Sequence, residues 1–548
     1  MATNLSLQSV RLGAMPLLDK YIDIVGISTV FSTTVRSDPR DQVPINKTLG
    51  IVLRNVILER YPLYKMGEWA QQRGLIQQGE ADLFNDDRIG RALDRLFAAD
   101  RAAIISTIIL NTIKCFNIDL SRIHNDTTTV TLFGEYDNYL DTKAAKPKRG
   151  HNKDHRPDLK QIVYSLSIAS DFAVPLYFKI WDGNTTDDTT HLRNWTALRA
   201  VVGTAKFIYI ADSKLCVRDT LQYITAEGGS FVTVMPETRS EIDRFQQWIQ
   251  TNNPDWQKAI EDINPRQKDR PMRTFWTSDS PFLTTEGYRI VWVKSLQKQL
   301  DDAQRRFRRI EKTDEILGEL QKKNHTNRDK LDAAVRSALQ ANHTKTYFDY
   351  QIVTEIEEIT KQQNRGRPDG NTVYRKIEKI SYKLVYSQNP HTLQYEARYD
   401  GIFPLITNRE EPAKEILLMY KYQPNLEKRH EQLKSVYNIA PVFLQNPQRI
   451  ESLMLLYFLG MLIASLMERD IRKEMGKQKL DGIPIYPENR KCKAPTADRL
   501  IELFNDVRLQ YICEGKHVRQ VIADTLTNRQ LVVLDLLKIT PAMFFKYG

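Results

Sequence analysis

At 548 residues, with 41% apolar and 27% charged side chains, the chain has the composition of several globular domains, which excludes a disordered or fibrous protein. A formal net charge of +11 suits a polyanionic partner. The four cysteines, Cys115, Cys216, Cys492 and Cys513, stand far apart, which excludes a disulfide scaffold and a paired-cysteine zinc site and points to a reducing compartment.

Residues 1 to about 118 read as a helical N-terminal domain. Pro44 to Arg60, Arg88 to Phe97 and Ala99 to Phe116 space their apolar residues as helices do. Docking, DNA-end binding and plain packing are all open for it. No apolar signal core starts the chain.

From 119 to about 236 the pattern changes to strands alternating with helices, the mark of an α/β layer fold. Ile123 to Gly134 is Thr- and Val-rich, as strands are, and holds one carboxylate, Asp126. An acid inside a β-branched strand needs a positive partner: a base, a helix N-terminus or a metal ion. A basic loop, Lys143 to Lys160, follows. Its Lys148, Arg149, Lys153, Arg156 and Lys160 are candidate phosphate contacts, and a solvated surface loop is the plainer alternative. His151 and His155 lack zinc-ligand spacing. Strands are predicted at Ile162 to Ile168, Val174 to Ile180, Phe207 to Ile210 and Phe231 to Met235, and helices at Thr189 to Val202 and Val217 to Ala226. The short apolar strand from Phe207 runs into Asp212.

Residues 237 to about 410 interrupt this pattern and read as an inserted module. Ser295 to Gln340 is a charged helical hairpin broken near Asn324, with Arg305, Arg306, Arg308 and Arg309 clustered. Strand-like runs surround it: Tyr288 to Val293, Tyr347 to Val353, Thr372 to Val385 and Thr392 to Tyr399. Trp276 and Trp292 are candidates for replacing a base pulled from the stack, or are core.

Residues 411 to 470 return to the core pattern: a helix from Glu411 to Tyr422, a helix bearing Glu427, and an apolar helix from Leu453 to Met467, too short to cross a bilayer. Pro424 suits a first helical turn, so the Glu427 helix is predicted to start there. Residues 471 to 548 form a small C-terminal domain carrying Arg508, Lys516 and Arg519, with DNA contact and oligomerisation both open. Acids at two strand ends and on a helix can converge, and oxygen-only donors suit Mg²⁺ or Mn²⁺. Two such ions clamp a phosphodiester in many enzymes.

In this order the residues resemble a family. Asp126 lies in an Asp-Thr-Thr strand. Gly150 to Lys160 follows, then the turn Asp182 to Asp187, Ala211-Asp212-Ser213, Tyr399-Asp400-Gly401 and the Glu427-to-Lys434 spacing. Together they resemble bacterial insertion-sequence transposases of the DDE type, in the group with a Tyr-Arg-Glu-Lys signature. The resemblance runs from about residue 17 to 470. It implies an RNase-H-like catalytic core, interrupted by the inserted module between its last strand and the Glu-bearing helix. It implies that Asp126, Asp212 and Glu427 hold two Mg²⁺ or Mn²⁺ ions, and that Tyr420 and Lys434 lie near DNA phosphates. It implies transposon-end cleavage and joining of the 3′-OH to target DNA, by a homodimer on paired ends, in the bacterial cytoplasm at the nucleoid. The signature arginine is replaced by Gln423. A nuclease that cuts without joining, or a silent DNA-binding protein, stays open beside it.

Overall fold

The computed structural model describes residues 5–136, 143–263, 272–363, 365–368, 370–437, 444–514 and 517–547. The chain is a mixed α/β protein that divides into two compact units, Met1–Thr233 with Leu418–Gly548, and Val234–Leu417.

In the first unit five strands form a mixed sheet. Pro175–Trp181, Lys160–Ala169 and Arg122–Leu132 pair antiparallel; Arg122–Leu132, Ile208–Ile210 and Ser230–Val234 then pair parallel. Nine of the eleven residues of Arg122–Leu132, namely Ile123–Asn125 and Thr127–Leu132, are buried, so both faces of the central strand are covered. Parallel strands covered on two sides read as near-continuous apolar or β-branched runs. One cover is the helix Pro447–Lys477, whose Phe458 stacks on Phe178 at 4.6 Å between ring centroids. This helix extends well beyond the predicted apolar run. Pro447 starts it, the Asn446 side chain caps it, and its polar ends continue the helical pattern. Its length and composition would suit a membrane span, yet 94% of its most apolar window is buried inside the protein, as a core helix requires.

The N-terminal helices appear as predicted at Ile45–Leu58, Asp86–Ala98 and Arg101–Phe116. The helical reading of the first residues is corrected: Leu5–Arg11 is a strand, paired with Arg508–Glu514, which pairs in turn with His517–Ala523. Seven residues alternating apolar and polar carry too little pattern to show which distant strand completes them. Arg519 of this small sheet pairs with Glu514; Lys516 lies outside the described residues.

In the second unit Gln257–Asp262, Arg273–Asp279, Arg289–Ser295 and Ile402–Thr407 form an antiparallel sheet. The charged hairpin is present as Leu296–Gln321 and Arg328–Ala341. It packs Leu317, Leu331, Val335 and Leu339 against Phe348 and Leu384 of a two-stranded ribbon, Phe348–Gln362 and Tyr374–Gln388. The strand expected from Thr392 to Tyr399 is instead the helix Pro390–Ala397: Pro390 fits a first turn, and Asn389 caps it by accepting from the Thr392 N–H at 3.1 Å. Trp292 is fully buried and stacks on Phe245 at 3.6 Å, so it is core and has no face for a base. Trp276 is half-buried within the sheet, in register with Lys258 and Lys294.

Candidate active site

The site begins with strand register. His124 and Ile210 are partners in the parallel pairing. Asp126 and Asp212 each lie two residues further on, Asp126 inside its longer strand where the parallel pairing stops and Asp212 just past the end of Ile208–Ile210, where strand spacing is about 4.8 Å. Open parallel sheets hold their ligands at this end. Side chains alternate faces along a strand, so Asp126 leaves the same face as His124.

That face receives the helix Pro424–Glu431, which starts at the predicted proline. Gln423 and Glu427 are four residues apart, and His430 follows three later, so all three share one helical face. Gln423 Oε1 accepts from His124 Nδ1–H at 2.9 Å, and its amide nitrogen donates to the Asn125 carbonyl at 3.3 Å. His430 Nδ1 stands 3.7 Å from Asp126 Oδ2. Glu427, exposed, sits between two residues that dock on the Asp126 strand. Arg429 locks the helix from its other side, donating to the carbonyls of Ala173 and Phe172 and pairing with buried Glu468 at 3.0 Å.

Glutamine at position 423 suits the ring it meets. Burial holds His124 neutral, its pKa lowered to about 4. A neutral amide completes that ring, whereas a guanidinium would bring a second buried donor and an uncompensated charge.

The electrostatics are strained. Burial, with Asp212 and Asp187 nearby, raises the Asp126 carboxyl to about 7, against the pull of Lys153, although 22% of its side chain still meets solvent. Burial also raises Asp212, helped by Asp187. The phenol of Tyr420, at the end of the helix Ala413–Tyr420, is pushed up to about 12 by burial and by Asp212, Glu427 and Asp126 together. One side chain thus lies in the field of all three predicted acids.

Lys153 is the cation among these acids. Its Nζ stands 3.9 Å from Asp126 and 3.6 Å from Asp187 and donates to the Thr127 carbonyl at 2.6 Å. Thr129 accepts from the Lys153 N–H at 3.0 Å, which fixes the basic loop to the Asp126 strand. Lys434, in the wide turn Gln432–Val436 that continues the Glu427 helix, pairs with Asp154 of this loop at 2.7 Å. The other loop cations have partners too. Lys148 pairs with Asp182, Arg156 with Asp158, Arg149 donates to the Asp158 carbonyl, and Lys160 to the Glu135 carbonyl. Of the predicted cationic phosphate contacts, Lys153 meets the site acids directly, and Lys434 reaches the Asp126 strand through Asp154, which accepts from Thr131 Oγ1.

Three further residues belong to the site and were missed in the sequence. Asp187 accepts from Thr127 Oγ1 at 2.5 Å; it closes the turn already singled out, and its distance from Asp126 along the chain hid the link. His191 places Nε2, buried without a hydrogen-bond partner among the described residues, 4.0 Å from Asp212. His430 was legible from its spacing to Glu427. Its Nε2 is likewise buried without a hydrogen-bond partner among the described residues, and burial beside Lys153 and Lys434 lowers its pKa to about 3.

The donor set, one carboxylate inside a strand, one just past a strand end and one on a helix, is the chemistry a hard divalent cation takes. Mutual repulsion among Asp126, Asp212 and Asp187 is what such a cation would relieve. As folded, no group of three or more His, Cys, Asp or Glu side chains among the described residues is close enough to hold a metal ion. The place beside Asp126 and Asp187 is taken by the Lys153 ammonium.

A family model described as a domain of unknown function, DUF4277, matches residues 7–110, a minor part of the chain. No curated protein matches the chain. Among solved structures, the piggyBac transposase synaptic complex with hairpin DNA, determined by cryo-electron microscopy, is similar at 9% identity over 84% of each chain, with a TM-score of 0.27.

Proposed function

We propose that this chain is a metal-dependent DNA transposase. It cuts transposon ends and joins the freed 3′-OH to target DNA, using Asp126, Asp212 and Glu427. The observation that carries this reading is the seating of Glu427 between Gln423 and His430 on the face of the Asp126 strand, with Asp212 in parallel register beside Asp126. Five strands in this mixed order, with the Glu427 helix against the central one, are consistent with an RNase-H-like core, and Val234–Leu417 with a module inserted in it. Two Mg²⁺ or Mn²⁺ ions held by the three acids would supply a water nucleophile and neutralise charge on the scissile phosphate.

The chain's own residues do the rest. Asp126 and Asp212 present carboxylates from a rigid sheet, which keeps their geometry fixed as charge moves. Gln423 and Arg429 orient the Glu427 helix. Lys153 and Lys434 set positive charge beside the acids, where an incoming phosphate would compete for them. Tyr420 gives a polar wall. The partners are double-stranded DNA, both terminal inverted repeats and target, and a second copy of the chain, since two ends require two sites; the compartment is the bacterial nucleoid.

The test uses labelled duplexes made from the DNA flanking the coding region, with Mn²⁺. Wild type should cut at the inverted repeat and join a pre-cut end to a second duplex. Asp212→Asn and Glu427→Gln should each lose cutting by at least about a hundredfold, the scale of a lost charge-stabilising group. Cutting by Asp212→Asn at the wild-type rate would remove that residue from the site. Cutting without joining would leave a nuclease.

A further inference from the structure

A cleft of about 810 Å³ opens along the edge strand Pro175–Trp181, against the start of the helix Arg101–Phe116. Its acids are already engaged. Glu451 accepts from the Ala145 N–H and pairs with Arg101. Asp182 accepts from the Lys146 N–H at 2.8 Å and pairs with Lys148 at 3.0 Å. Asp100 caps the helix by accepting from the Ala103 N–H at 3.0 Å.

Two lining cations differ from these. Lys179 Nζ lies 4.5 Å from the centroid of the Trp181 ring, and the Arg193 guanidinium carbon 5.8 Å. Neither has an ion-pair partner among the described residues. The Trp181 indole is itself fixed, its N–H donating to Ser165 Oγ at 3.0 Å. A ring face positions a cation but removes none of its charge. Two like charges are therefore held together, Lys179 half-buried and Arg193 exposed, and burial and Arg193 lower the Lys179 pKa against a smaller pull from Glu451. An anion bridging them would relieve that repulsion.

The cleft adjoins the acid site through one turn. Thr185 and Thr189 line it, while Asp187, between them in sequence, is bonded to Thr127 beside Asp126. A strand whose scissile phosphate lies at the acids would pass along this edge.

We infer that Lys179 and Arg193, held over Trp181, bind a backbone phosphate of the DNA strand that runs into the acid site. This rests on the DNA-processing reading and adds a second anchoring point to it. Backbone contacts fix register and carry no sequence information, so a duplex of random sequence serves as the probe.

The experiment is fluorescence anisotropy of that labelled duplex with the full chain, in chelator, between about 50 and 200 mM salt. Each phosphate contact contributes about 0.9 to the slope of log K against log salt. Lys179→Gln/Arg193→Gln should therefore flatten the slope by about 0.9, while Lys179→Arg/Arg193→Lys should keep it. An unchanged slope in the glutamine variant overturns the inference and leaves the transposase reading to the cutting assay. Inorganic phosphate, compared with chloride at equal ionic strength, is the second arm. Displacement of DNA from wild type but not from the glutamine variant supports the site. Phosphate binding lost in the variant with an unchanged DNA slope assigns the cleft to a free anion and overturns the strand. Failure of wild type to bind DNA at all would overturn both readings.

Discussion

The two units treat charge in opposite ways. In Val234–Leu417, charge is met by charge. Arg306 pairs with Asp400, Lys298 and Arg305 share Asp302, and Glu355, Glu357 and Glu358 face Lys383, Lys379 and Lys376 across the ribbon. The ribbon pairs are exposed, and exposed pairs cost and contribute little. In the first unit the acid site leaves its charges in conflict: Asp126 held near neutral, Asp212 raised beside it, and two histidines with a bare buried nitrogen. A high density of charge in sequence therefore marks a solvated scaffold here, and a sparse set of acids marks the chemistry. Perturbed groups in one cleft are where function is sought.

That contrast can be broken at its strongest point first. Arg429 and Glu468 are both 5% exposed and hold the Glu427 helix. Arg429→Ala should cost about 3–5 kcal/mol in denaturant unfolding, because Glu468 is left buried without its main partner. Arg429→Ala/Glu468→Gln should recover part of that loss. A cost below about 1 kcal/mol would show that the helix does not depend on this clamp.

Next is the pH dependence. Asp126 has a folded pKa raised to about 7. A raised carboxyl favours folding below its unfolded pKa of about 3.9, and that contribution is lost as pH rises through 7. Asp126→Asn carries no such loss. In chelator it should be more stable than wild type by about 2–4 kcal/mol at pH 8 and nearly equal at pH 4. A difference that does not change with pH would place the Asp126 carboxyl in ordinary solvent.

A divalent cation should act in the same direction on wild type. Mn²⁺ at a hundred times its dissociation constant should raise stability by about 2.7 kcal/mol, and Asp126→Asn should lose that gain. The smallest effect is expected in the ribbon: Lys376→Ala, removing an exposed partner of Glu358, should change stability by no more than about 0.5 kcal/mol.

Much of the core was legible because its signals are local. β-branched and apolar runs gave the sheet strands, helical spacing gave His191–Val202 and Arg218–Ala226, and Pro424 marked the start of the Glu427 helix. Cap chemistry was outweighed by β-propensity at Pro390–Ala397, and the partner of Leu5–Arg11 lies near the other end of the chain. In the site, the acids stood out because a carboxylate in an apolar strand is costly. Gln423 did not. Its role depends on a neutral histidine 299 residues away, and no spacing rule connects them. Asp187 and His191 were hidden for the same reason, whereas His430 shared a helical face with Glu427 and could have been read.

The central claim is that Asp126, Asp212 and Glu427 make one cation site. Calorimetric titration of Mn²⁺ into the metal-free protein tests it most directly, with Asp126→Asn, Asp212→Asn and Glu427→Gln titrated in parallel. Each single variant should lose most of the binding seen in wild type while remaining folded. Unchanged Mn²⁺ binding by Glu427→Gln would take the helix out of the site and contradict the account.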